Sequence, residues 1–141
     1  MDQDIWQKKL GDVKGFYESV DLFVLFDLLG AVDPKFYIYH QPTAHLFKKL
    51  SDIEDKLQAK RLISFKSTKY FITRDIGQEI QDDHVPFHAY NVPILHLIPL
   101  PFPQCWHKEC DNYNTLDKTT IQDLTKIFNV FLTSYLTHNN N

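Results

Sequence analysis

The run Leu22-Phe23-Val24-Leu25-Phe26 is apolar at every position and stops at Asp27. A strand that shows one face to water alternates apolar and polar residues, and a strand without that alternation is covered on both faces. Such a strand needs sheet neighbours and helices on either side, which restricts the chain to a parallel or mixed α/β sheet. Val92-Pro93-Ile94-Leu95-His96-Leu97-Ile98 reads as a second buried strand, ended by Pro99, Pro101 and Pro103. Tyr70-Phe71-Ile72 is a shorter strand. Thr43 is placed to cap a helix from Ala44 to about Lys60, because Leu46, Leu50, Ile53 and Leu57 form one apolar stripe. Asp117 is placed to cap a last helix whose apolar face carries Ile121, Leu124, Phe128, Phe131 and Tyr135. The order strand, helix, strand, strand, helix predicts an α/β fold. Three strands and two helices are thin cover for a doubly buried strand, so further N-terminal layers are expected. Residues Met1 to Val20 are weakly patterned, with Gly11 and Gly15 breaking any helix, and the Asn139–Asn141 tail is expected to fray.

Net charge narrows the function. At -3 and pI near 6.1 the chain has no basic footprint for nucleic acid. No charged-then-apolar leader and no apolar run of spanning length is present in the sequence. A Gly-x-Ser-x-Gly elbow and a phosphate-cradling glycine loop are both missing. The two cysteines, Cys105 and Cys110, suit either a small-loop disulfide or free thiols. A zinc knot would need a second ligand pair at finger spacing, which is not there.

The residues able to do chemistry sit after strand ends, where α/β folds build their sites. His107 is the best metal-ligand candidate, against the plain reading of a loop histidine bonded to backbone. Trp106 and Phe102 either line a ligand pocket or cover the core edge. Asp27 closes an apolar strand, where a carboxylate is costly unless paired, and otherwise serves as a cap or turn residue. Asp82 and Asp83 precede His84. If one of them turns toward Asp27, like charge raises one pKa and makes a proton-sharing pair; otherwise both are solvated loop residues. His84 and His88 are four apart, but Pro86 between them is expected to spoil helical metal pairing, and no HExxH glutamate follows. His96, inside a strand, reads as a satisfied core histidine.

Three blocks carry a resemblance that covers Asp21 to Leu136: Leu22 to Ala31; Ile80-Gln81-Asp82-Asp83-His84-Val85-Pro86-Phe87; and Asn91 to His107, which ends in Phe102-Pro103-Gln104-Cys105-Trp106-His107. The chain resembles the C-terminal half of animal glutaminyl-peptide cyclotransferases (glutaminyl cyclases), which share the fold of zinc aminopeptidases of the M28 type. The resemblance implies a three-layer α/β fold with a mixed, mostly parallel sheet, and divides the chain into a divergent segment, 1–20, and the C-terminal part of the domain, 21–138. It implies zinc as cofactor, with His107 as a ligand. Asp27 and Asp82 would be the catalytic aspartates, and Gln81, Phe102 and Trp106 would contact substrate. His96 would lie near the pocket. The implied substrates are peptides or proteins with N-terminal glutamine, closed to pyroglutamate with loss of ammonia, in the secretory pathway or outside the cell. The family's other zinc carboxylates and its proton-shuttling glutamate lie in an N-terminal half with no match here, and replacement of a ligand by Asp83 or Glu109 is the local alternative. An M28-type zinc aminopeptidase and a non-catalytic remnant that pairs with another chain are the competing readings.

Overall fold

The computed structural model describes residues 15–139, with side chains as far as Thr137. The weakly patterned stretch 1–14 and the end of the asparagine tail, 140–141, lie outside the described residues. Among the described residues there are four strands: β1 (Phe23–Phe26), β2 (Phe36–Ile38), β3 (Phe71–Asp75) and β4 (Ile94–Leu97). The helices are α1 (Ala44–Ala59), the short α2 (Val85–Ala89) and α3 (Lys118–Asn139). β1 runs parallel to β4, with Phe23 opposite Ile94 and Leu25 opposite His96. β2 runs parallel to β3, and an antiparallel bridge from Phe36 to Pro99 joins the two pairs. The sheet is therefore mixed and mostly parallel, as the α/β reading requires.

Strand alternation divides the core. Leu95 and Leu97 of β4 point into one cluster with Phe36, Phe71, the α1 residues Phe47, Leu50, Ile53 and Leu57, and Leu124, Ile127 and Phe131 of α3. On the opposite face Ile94 joins Val92 and Tyr17, with Phe23 and Phe87 packed beside them. Helices α1 and α3 thus form one layer, the sheet a second, and the 3-10 turn Tyr17–Ser19 with α2 a third.

Several expectations are corrected. β4, not β1, is the strand buried on both faces, and Phe26 of β1 is 48% exposed. β1 has one strand neighbour among the described residues, whereas the β4 segment is paired by β1 and continued into the bridge with Phe36. Sequence pattern also missed β2, because Phe36-Tyr37-Ile38 is too short to show a period. Thr43 does not cap α1. Its hydroxyl donates to the carbonyls of His40 and Ile94, and a 3-10 turn, Gln41–Thr43, leads into the helix instead. Asp117 does cap α3, accepting from the Thr120 amide at 2.6 Å. In α3 the buried face is set by Leu124, Ile127 and Phe131, while Ile121 is 37% exposed.

Candidate functional site

Adjacent strand ends bring the predicted residues together. The Asp27 amide donates to the Leu97 carbonyl at 3.1 Å, so the carboxylate leaves β1 beside the end of β4. The segment that follows β4 turns through Pro99, Pro101 and Pro103 and presents Phe102, Trp106 and His107. Asp82 arrives from the loop before α2, where its Oδ1 accepts from the Asp83 amide at 2.8 Å and its Oδ2 lies 2.9 Å from His96 Nε2. Asp27 is within electrostatic reach of Asp82, Asp83 and His107. Burial first, and then the charge of Asp82, hold the Asp27 carboxyl above the ordinary carboxylate value, against the hydrogen bond from the Leu28 amide. This is the direction expected of a partly buried carboxylate beside a second one.

The aromatic residues stand at the mouth. Phe102 and Trp106 meet edge to face at 4.7 Å, and the Trp106 and His107 rings lie 4.2 Å apart. Trp106 is 38% exposed and lines a cleft of about 340 Å³ with Leu28, Gly30 and Leu116 among its walls. His107 and Leu28, on either side of this region, both take left-handed backbone angles (φ 57° and 56°). Such angles cost a residue with a Cβ about 1–2 kcal/mol and concentrate where a site imposes them. Cys105 and Cys110 are joined as a disulfide, which closes the loop that carries Trp106 and His107. Gln81 is exposed on the loop that leads to Asp82.

The histidines differ from expectation. Among the described residues neither group of metal-binding side chains holds both His84 and His88, although Pro86 does not break the turn between them. That proline occupies the first turn of α2, where a missing N–H is harmless, and the His88 amide donates to the His84 carbonyl at 2.9 Å. His96 is buried and bound to Asp82 at Nε2, but its Nδ1 has no partner among the described residues. Burial pulls the pKa of His40, His84 and His96 below the ordinary histidine value, with neighbouring imidazoles adding to the effect. His40, at the end of β2, was invisible to sequence reasoning. Its only signal was its place at the end of Tyr37-Ile38-Tyr39-His40, a strand too short to recognise. Donor atoms of His40, His84 and His96 come close enough to hold one metal ion, as do those of His40, Glu79 and His88.

Comparison with known proteins gives the family and the fold. The model of peptidase family M28 matches residues 9–132, and the chain belongs to that family. It is 58% identical over 121 residues to a glutaminyl-peptide cyclotransferase of Dictyostelium discoideum, a match that covers 86% of this chain and 33% of that protein. The Bos taurus glutaminyl-peptide cyclotransferase is 45% identical over 120 residues, covering 84% of this chain and 33% of the relative. The chain thus spans about a third of the length of these relatives. The crystal structure of Macrostomum lignano glutaminyl cyclase superposes with a TM-score of 0.82 at 25% identity, over 96% of this chain and 47% of that one. A leucine aminopeptidase precursor from Bacteroides thetaiotaomicron shares the fold at a TM-score of 0.65 and 22% identity, over 89% of this chain and 41% of that one.

Proposed function

We propose that this chain is the C-terminal part, 21–138, of a glutaminyl-peptide cyclotransferase, preceded by a divergent segment, 1–20. The observation that carries the reading is Asp27, at the end of β1, within electrostatic reach of Asp82 and His107, with the aromatic pair Phe102 and Trp106 against His107. The 58% identity to the Dictyostelium relative supports it. In the reaction the α-amine of an N-terminal glutamine attacks its own side-chain amide carbon. The new C–N bond closes the pyroglutamate ring, the old C–N bond breaks, and the amine proton leaves with the nitrogen as ammonia. Phe102 and Trp106 cover the apolar part of the glutaminyl residue and exclude water. Gln81 contacts the substrate through its main chain. Asp27, whose carboxyl pKa is raised first by burial and then by Asp82, faces the leaving nitrogen, while Asp82 holds that geometry from the His96 side.

Zinc is the proposed cofactor, and it would polarise the amide oxygen. His107 would be one ligand. Catalytic zinc takes three protein ligands with one position open. Among the described residues no group of three metal-binding side chains includes His107, so these residues alone do not complete that site. The remaining ligands and the proton-carrying glutamate are assigned to protein outside the described residues. Peptides with N-terminal glutamine are the proposed substrates, and the secretory pathway or the extracellular space the proposed location. Among the described residues no helix is long and apolar enough to cross a membrane.

Zinc stoichiometry and ammonia release from an N-terminal glutaminyl peptide, measured together, test the reading. The protein that contains this chain should cyclise the peptide with zinc bound, and His107→Ala should abolish turnover. Release of a free N-terminal amino acid would assign an aminopeptidase instead. A cooperatively folded protein with neither zinc nor turnover would make it a non-catalytic remnant.

A further inference from the structure

On the side of β4 away from the α1–α3 layer, three histidines from three elements meet. His96 comes from the centre of β4, His40 from the end of β2, and His84 from the residue that opens α2. The His40 and His84 rings lie 5.1 Å apart and the His84 and His96 rings 4.7 Å apart. One donor nitrogen from each falls within 4.8 Å of the others. All three side chains are buried, at 8%, 1% and 2% exposure. Yet among the described residues His40 Nε2, His84 Nδ1 and His96 Nδ1 have no hydrogen-bond partner. A buried polar nitrogen left without a partner costs about 1–3 kcal/mol, so three in one place is a large penalty unless something fills it.

Two further features point to a cation. The other nitrogen of His96 is bound to Asp82 Oδ2 at 2.9 Å. Metal-ligating histidines commonly give their second ring N–H to a carboxylate, which fixes the tautomer and aims the free nitrogen at the ion. A second group, His40, Glu79 and His88, shares His40 and reaches the exposed surface. The His40 and His88 rings are 5.5 Å apart, so donors continue from solvent to the buried cluster.

We propose that His40, His84 and His96 form a binding site for a divalent transition metal of the imidazole-preferring class, distinct from His107. Asp82 orients His96 from behind, and Glu79 and His88 receive the ion at the surface. Three imidazole donors suit Zn²⁺, Co²⁺, Ni²⁺ or Cu²⁺ and disfavour Mg²⁺ and Ca²⁺. The site shares Asp82 with the proposed cyclisation site, through its contact with His96, but takes its own ligands and does not need turnover to bind metal.

The test is a Co²⁺ titration of the full 141-residue chain after removal of metals by chelator. A single equivalent should bind with visible d–d absorption, and the protein's melting temperature should rise with Co²⁺ concentration. In the unmutated chain, paramagnetic broadening of imidazole signals should be strongest at His40, His84 and His96. Binding should persist in His107→Ala and disappear in His40→Gln. Absence of binding at micromolar Co²⁺ overturns the proposal, as does broadening centred on His45 or His107. Binding lost in His107→Ala but kept in His40→Gln overturns it too. The broadening pattern decides the matter even where a variant fails to fold, and failure of cyclase activity has no bearing on it.

Discussion

Glu54 shows how a single buried acid fixes local structure. It is 1% exposed on α1, and its two carboxylate oxygens accept from the amides of Tyr70 at 2.6 Å and Phe71 at 3.0 Å. Burial raises its pKa, and the two amide donors offset part of that rise. Glu54→Ala leaves two donors without partners at the start of β3. It should lower stability by about 3 kcal/mol in urea unfolding, with Glu54→Gln losing clearly less. An equal loss for the two variants would count against this account. His107 carries a conformational cost of its own, since φ is 57°. His107→Gly should therefore be more stable than His107→Ala by about 0.5–1 kcal/mol, although both lose the imidazole. Equal stabilities in thermal or urea unfolding would mean that the loop relaxes away from this angle. At this scale the site was partly legible. His107, Trp106 and Asp27 stand at strand ends in the sequence, but nothing local revealed Glu54 or His40, whose partners are elsewhere in the chain.

Among elements, the loop from Cys105 to Cys110 holds Trp106 and His107 on a short covalent ring. Closing so small a loop contributes about 2 kcal/mol through the unfolded chain. A Cys105→Ser, Cys110→Ser double variant should lose stability on that order and leave Trp106 more mobile, read as lower indole fluorescence anisotropy in a Trp6→Phe background. Unchanged anisotropy would show that the edge-to-face contact with Phe102 suffices to hold the ring. Helix α1 was legible because an amphipathic stripe is repeated over 16 residues. α2 was not, because five residues with a proline in the first turn give no period to read. β1 and β4 illustrate the limit of hydrophobic runs. β1 is apolar throughout and β4 is apolar apart from His96, but burial depends on how many neighbours each strand has, and pairing is a tertiary fact.

For the molecule as a whole, the buried histidines set a pH limit. His40, His84 and His96 titrate below the ordinary value of 6.5 in the folded state, chiefly through burial. Asp82 and Glu79 oppose that shift, while the neighbouring imidazoles, His88 among them, reinforce it. Below the unfolded value the unfolded chain binds more protons, so the contribution is complete above it and is lost as pH falls through the folded values. Metal-free protein should therefore show a urea midpoint that drops between about pH 7 and about pH 5, before most carboxylates titrate. A flat midpoint across that window would mean that the histidines are solvated. Asp27 acts with the opposite sign, since its raised value makes stability fall as pH rises through the carboxylate range, a separate and lower window.

The sequence by itself determined the α/β class, both long helices, the two strands whose ends carry the site, and the family to which the chain belongs. Those features are written in runs, stripes and contiguous motifs, because local periodicity and short-range chemistry are stored in neighbouring residues. Only the tertiary structure decided that β4 is the doubly buried strand and that Asp82 meets His96. It alone showed that His40, His84 and His96 share one space. Each of those facts joins residues from separate elements, and their free energy comes from desolvation and packing between them, which no stretch of sequence contains alone.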